Sequence, residues 1–180
     1  MEQITKEELL DVIGKFELGD NTEVVSVEPY GSGHINDTFR LEVKEDGQEK
    51  LYILQRMNKD IFKNQKELME NILQVTSFLT DKIKAQGGDP NRETLQVIPT
   101  KEGKSYLIEA NGDGWRVYPF ITDSLSFDKA DTPEAMKKSG YAFGNFQYLL
   151  SDFPAEKLHE TIPDFHNTVD RYAKFEQAVQ

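Results

Sequence analysis

Tyr30-Gly31-Ser32-Gly33-His34-Ile35-Asn36 separates two runs of apolar and β-branched residues, and its reading decides the fold. Glycines on either side of a serine let backbone N–H groups approach an anion closely, so the stretch can cradle phosphates. A lone Gly-x-Gly equally marks an ordinary hairpin turn, and the surroundings must choose between the two. Residues 24–40 read as strand on either side of the turn, and Thr38-Phe39-Arg40-Leu41-Glu42-Val43 alternates as a half-buried strand does. Asp46-Gly47 supplies the next turn and 51–54 a third apolar strand, which predicts a three-stranded antiparallel meander.

Working outward, Thr5 predicts the cap of a helix in which Leu9, Val12, Ile13 and Phe16 repeat at helical spacing until Gly19-Asp20-Asn21 ends it. Residues 64–84 predict the longest helix, with Leu68, Ile72, Val75, Leu79 and Ile83 on one face and Gly87-Gly88-Asp89-Pro90 as its stop. Strands are expected at 95–98, at 104–108 and, after Asn111-Gly112-Asp113-Gly114, at 115–120. Strands before and after one long helix, joined mainly by hairpins, predict an α+β fold: an antiparallel sheet with the long helix on one face and a leading N-terminal helix. Beyond Ile121 the texture changes. Thr132-Pro133-Glu134 starts a helix carrying Met136, Gly140, Phe143 and Leu150, Asp152-Phe153-Pro154 breaks it, and 167–180 reads as another. Two units are therefore expected, 1–121 and 122–180, the second a hinge followed by the first helices of a second lobe; Asp123 and Asp128 read as linker or helix-start residues.

Composition narrows the function. Hydrophobic residues at 37% and charged residues at 29% exclude intrinsic disorder. A net charge of -11 without a Lys/Arg cluster argues against a nucleic-acid partner. No cysteine is present, so disulfides, thiolate metal sites and a cysteine nucleophile are out. The first residues carry Glu2, Lys6, Glu7, Glu8 and Asp11 instead of a signal peptide's apolar run, and no stretch is long enough to span a membrane, so a cytoplasmic location is expected. His34, His159 and His166 are too scattered for zinc, and no Gly-x-Ser-x-Gly elbow supports a serine triad.

In a protein-kinase-like lobe the glycine loop joins strands one and two, a polar or cationic side chain on strand three meets the phosphates, and a helix carboxylate orients it. The order here fits. Leu54-Gln55-Arg56 ends strand three, the following helix carries Glu67 and Glu70, and an Arg56–Glu70 pair is chemically reasonable. Trp115-Arg116-Val117-Tyr118-Pro119-Phe120-Ile121 then runs as an aromatic strand into the boundary where a kinase places its adenine-binding hinge. Pro119 lacks an N–H, so adenine hydrogen bonds fall to Phe120 or Ile121.

Tyr-Gly-Ser-Gly-His-Ile-Asn-Asp-Thr at 30–38, Tyr-Ile-Leu-Gln at 52–55, Leu-Met-Glu-Asn at 68–71, Trp-Arg-Val-Tyr at 115–118, Ala-Phe-Gly-Asn-Phe-Gln at 142–147 and Glu-Thr-Ile-Pro-Asp-Phe-His-Asn-Thr at 160–168 together resemble the bacterial N-acetylhexosamine 1-kinases of the aminoglycoside phosphotransferase and choline kinase superfamily. The resemblance implies a kinase-like fold and Mg2+-dependent transfer of the ATP γ-phosphoryl group to the anomeric hydroxyl of N-acetylglucosamine or N-acetylgalactosamine. It assigns the nucleotide to Gly31, Ser32, Gly33, Asn36, Thr38, Gln55, Arg56, Glu70, Phe120 and Ile121, and the sugar to His34 and Val27.

Two departures stand out. Gln55 occupies the strand-three position where the superfamily usually has Lys or Arg, and alternation turns Arg56 to the opposite face, so either Gln55 meets phosphate uncharged or Arg56 bends in. The His-Gly-Asp or His-Asn-Asp type of catalytic segment and the later metal-binding Asp do not occur in the 180 residues. The chain is accordingly expected to be the nucleotide-binding half of such a kinase, inactive alone, binding ATP weakly or not at all. A kinase for choline, homoserine or an aminoglycoside, or a non-catalytic module, are the alternatives. Without the rest of a helical lobe, Met136, Phe143, Phe146 and Leu150 are expected to lack cover, with self-association or packing on the sheet as the outcome.

Overall fold

The computed structural model describes residues 4–125, 127 and 129–179; Asp128 lies outside them. Helix α1 (Lys6–Ile13) starts as expected, in a capping box. Thr5 accepts the N–H of Glu8 while the Glu8 carboxylate receives the N–H of Thr5 at 2.7 Å. The helix ends at Gly14, well before Gly19-Asp20-Asn21. A short backbone ladder takes the chain over instead: Glu17 N–H donates to Pro99, Lys101 N–H donates to Lys15, and Phe16 bridges Thr100. Phe16 is still buried, but from outside the helix.

Strands β1 (Thr22–Pro29), β2 (Asp37–Glu45) and β3 (Gln48–Met57) form the meander. The β2–β3 turn is Asp46-Gly47, both at positive φ, +48° and +82°, as a two-residue hairpin requires. Pairing runs without interruption from Glu45–Gln48 to Asp37–Arg56, so the third strand extends well beyond 51–54. Helix α2 (Gln65–Ala85) is capped by Asn64; the short helix α3 (Pro90–Glu93) follows, then β4 (Leu107–Ile108) and β5 (Gly114–Pro119). The result is α+β, with a five-stranded antiparallel sheet in the order β1-β2-β3-β5-β4.

The expected strand at 95–98 is reduced to one bridge, Ile98 to Val117. Pro99 has no N–H to continue the ladder, and the chain turns away to pair with α1's exit. The expected 104–108 strand survives only as Leu107–Ile108, because Lys104 closes a tight turn with Thr100 around Gly103 (φ +76°).

Alternation gives the sheet two faces. Phe39, Leu41, Val43, Tyr52, Leu54, Trp115 and Val117 point to α1 and form the main core with Leu9, Val12, Ile13 and Phe16. The first half of α2 lies on the other face, through Gln65 and the fully buried Met69, so its inner stripe is turned slightly from the one the spacing predicts. Farther along α2, Leu79 and Ile83 pack with Leu149 and Leu150, where α4 (Pro133–Leu149) ends. Lys82 there donates to the Leu149 carbonyl at 2.9 Å, a cation on a helix C-terminus. A single 3-10 turn (Ala155–Lys157) and α5 (Thr168–Ala178) complete the chain. Among the described residues no helix is long and apolar enough to cross a membrane. Of the four α4 residues expected to lack cover, Leu150 packs on α2, while Met136, Phe143 and Phe146 are exposed.

Gly114 is a glycine because α2 sits against it. A Cβ there would stand 1.5 Å from Gln65 Oε1 and 2.8 Å from the Met57 methyl, and the Gln65 amide is held by the Gly112 carbonyl at 3.2 Å. Gly114→Ala should destabilise the fold by about 1–3 kcal/mol in chemical denaturation. Gly140→Ala, in open space on α4, should be neutral or stabilise by up to about 1 kcal/mol.

Candidate functional site

The glycine loop leaves β1 at Tyr30, whose N–H donates to the Thr38 carbonyl at 2.8 Å, and Gly31 takes a positive φ of +82°. Its far side is pinned by Asn58, just after β3. The Asn58 backbone N–H donates to Asn36 Oδ1 and its side-chain amide donates to the Ile35 carbonyl, both at 2.9 Å. Between these anchors Gly31, Ser32, Gly33 and His34 are exposed. Asn36, one of the expected nucleotide ligands, spends its side-chain oxygen on holding the loop.

Thr38, Gln55 and Arg116 are direct cross-strand neighbours on β2, β3 and β5. Alternation places all three on the α2 face. They form a hydrogen-bonded row: Arg116 donates through Nε (3.0 Å) and Nη2 (2.6 Å) to Gln55 Oε1, and Gln55 Nε2 donates to Thr38 Oγ1 at 2.8 Å. Burial lowers the Arg116 pKa from its ordinary value, and burial likewise raises that of Tyr118, two residues along on the same face.

Tyr30 and Phe120 meet edge to face over this side of the sheet, ring centroids 5.3 Å apart. β2 and β3 lie between the strands that lead into them, so the Tyr30 side chain reaches across the sheet toward the end of β5. The Phe120 N–H donates to the Leu51 carbonyl at 3.0 Å, which removes it as an adenine donor and leaves Ile121, at the exposed strand exit.

Arg56 lies on the opposite face and does not bend in. It binds Asp37 (Nη2 to Oδ2, 2.6 Å) and Asp113 (Nη1 to Oδ2, 3.1 Å) and lies 5.9 Å from the Trp115 ring centroid. The expected Arg56–Glu70 pair is therefore replaced, because strand alternation puts the two on different sides of the sheet. Glu70 instead lies 2.9 Å from His159 Nε2 and faces Lys66. Neighbouring Asn71 exchanges two hydrogen bonds with the His159 backbone, at 2.8 and 2.9 Å. Val27 is buried in the α1-side core, paired across the sheet with Leu41, and so is not at the loop.

A cleft of about 660 Å³ beside α1 includes Arg56, but Glu7, Glu8, Asp11, Glu109 and Asp113 also line it, so its charge disfavours a polyphosphate. No group of three or more His, Asp or Glu among the described residues is placed to hold a metal ion. Arg116 and Tyr30 are the residues the sequence reading passed over. The signal for Arg116 was its register opposite Gln55, which becomes visible only once β3 and β5 are paired. No known protein-family model matches the chain.

At Asp113, burial acts to raise the pKa but is outweighed by the Lys59 hydrogen bond and the Arg56 charge, and the carboxyl sits below its usual 3.8. The stability it contributes is thus present above the unfolded pKa and is lost as pH falls through the lower folded value. Asp113→Asn should cost about 2 kcal/mol at pH 7. In urea denaturation across pH 2–7, the gap to the wild type should close only below roughly pH 4.

Proposed function

We propose that this chain is the nucleotide-binding lobe of a small-molecule kinase, a kinase-like N-lobe that takes ATP between the glycine loop and the α2 face of the sheet. One observation carries the reading. The Tyr30 ring at the start of the loop that joins the first two strands meets Phe120 past the end of β5, four residues along from Arg116 in the polar row Thr38–Gln55–Arg116. A loop with exposed amides, a polar row on the neighbouring strands and an aromatic strand end are the kinds of group a phosphorylated, flat-ringed ligand requires.

Gly31, Ser32 and Gly33 are assigned to phosphate contacts, Tyr30 and Phe120 to the ring, and Ile121 to the base's hydrogen bond. The acceptor is proposed to be an N-acetylhexosamine hydroxyl, on the strength of the motifs quoted above, with His34 on the sugar side and the cytoplasm as the place of action. Mg2+ accompanies ATP in such chemistry. The described residues offer no set of ligands for it, so it is assigned to none of them. The 180 residues also contain no His-Gly-Asp or His-Asn-Asp segment to orient an attacking hydroxyl, so this polypeptide is assigned binding and not transfer.

A Cβ at Gly33 meets nothing within 4 Å, so Gly33→Val should leave melting unchanged. Displacement of a fluorescent ATP analogue by ATP should show weak binding to the wild type and at least about tenfold weaker binding to Gly33→Val, or a loss of roughly 1.4 kcal/mol. Wild type that binds no nucleotide, or a variant that binds as well, would overturn the reading. With ATP, Mg2+ and N-acetylglucosamine or N-acetylgalactosamine, no sugar phosphate should form; turnover abolished by Gly33→Val would contradict the assignment of binding alone.

A further inference from the structure

The two arginines of β3 and β5 face opposite ways and meet opposite surroundings. Arg56 is neutralised by Asp37 and Asp113 and is a structural clamp. Arg116 is half-buried, yet its polar partners are neutral: Gln55 Oε1 receives two of its N–H groups, and Nη1 lies 3.9 Å from Met69 Sδ. Among the described residues it forms no ion pair. A cation removed from water without a counter-charge costs stability.

The hydrogen bonds around it leave donors over. A guanidinium has five N–H groups, and Gln55 takes only two of them. Thr38 Oγ1 accepts from Gln55, so its own hydrogen is free to donate. Adjacent strands lie about 4.8 Å apart, so these two donors arise from backbones roughly 10 Å apart across three strands. Arg40, two residues beyond Thr38 on the same face, stands directly opposite Glu28 and next to Glu42 on that face, so Arg116 is the charge that bears on the row.

We propose that the Thr38–Gln55–Arg116 row is an oxyanion site, and, resting on the nucleotide reading above, that it takes the phosphate groups of the nucleotide. Arg116 on β5 supplies the charge that Gln55 on β3 does not, and Gln55 is the positioning residue that fixes the guanidinium plane. The neutrality of residue 55 is then a requirement. A carboxylate there would satisfy Arg116 internally and close the site, while making the folded protein more stable.

Gln55→Glu is nearly isosteric and tests this without dismantling the fold. The probes are ATP, adenosine and inorganic tripolyphosphate, read as shifts in Tm at neutral pH. For the wild type, ATP and tripolyphosphate should raise Tm. Gln55→Glu should raise the ligand-free Tm yet respond to neither anion, and Arg116→Met should keep a Tm at or above that of wild type and lose at least tenfold in ATP affinity. Arg116→Lys should retain part of it, and adenosine should act alike on all four proteins. Variants that bind ATP as the wild type does would overturn the inference and leave the nucleotide reading standing. Tripolyphosphate bound through Arg116 with no gain from the nucleoside would keep the oxyanion site and remove the nucleotide reading. A wild type that responds to neither anion would overturn both.

Discussion

The register between β2 and β3 is the constraint on which the rest depends. The two-residue turn at Asp46-Gly47 sets it, and it holds without a slip from Glu45–Gln48 to Asp37–Arg56. A slip of one residue would exchange the faces of every side chain beyond it. Phe39, Leu41 and Leu54 would leave the core under α1, and the polar pair Thr38–Gln55 would replace them in it. Because β5 pairs directly with β3, the same register decides that Arg116 stands beside Gln55 and that Arg56 stands beside Trp115. Core, clamp and candidate anion site therefore share one origin.

The parts legible in the sequence were those set by local chemistry. Thr5, Asn64, Thr132 and Asn167 each cap a helix because a short polar side chain reaches N–H groups only two or three residues away. Asp46-Gly47 is legible for the same reason. The parts that were not legible depend on distant partners. Phe16 continues α1's apolar spacing, but the 99–101 segment captures its backbone and ends the helix at Gly14. The charged pairs went the same way: Arg56 near Glu70 in the sequence argument is in fact held by Asp37 and Asp113, 19 and 57 positions away. Alternation alone put Arg56 off the loop face, and the structure agrees, but no local rule could say that Arg116 would take the place beside Gln55.

Helix α2 connects the two parts of the chain. Its first half supports the sheet beside Arg116 through Met69 and Gln65, and its second half receives the end of α4 through Leu79, Ile83 and Lys82. Between them Glu70 and Asn71 hold His159 by side chain and backbone. Two of the motif segments, around 70 and around 160, thus owe part of their pattern to each other, and Glu70 has a structural role that needs no nucleotide.

The central claim is that ligand binds on the α2 face under the glycine loop, and not in the acidic cleft beside α1. Two-dimensional amide and arginine side-chain NMR spectra, recorded as ATP is added to millimolar concentration, locate binding residue by residue even when it is weak. The account predicts that the shifts concentrate at Gly31, Gly33, Thr38, Ile121 and the Arg116 guanidinium. Shifts confined to Glu8, Arg56, Asp113 and Trp115, or none at all, would contradict it.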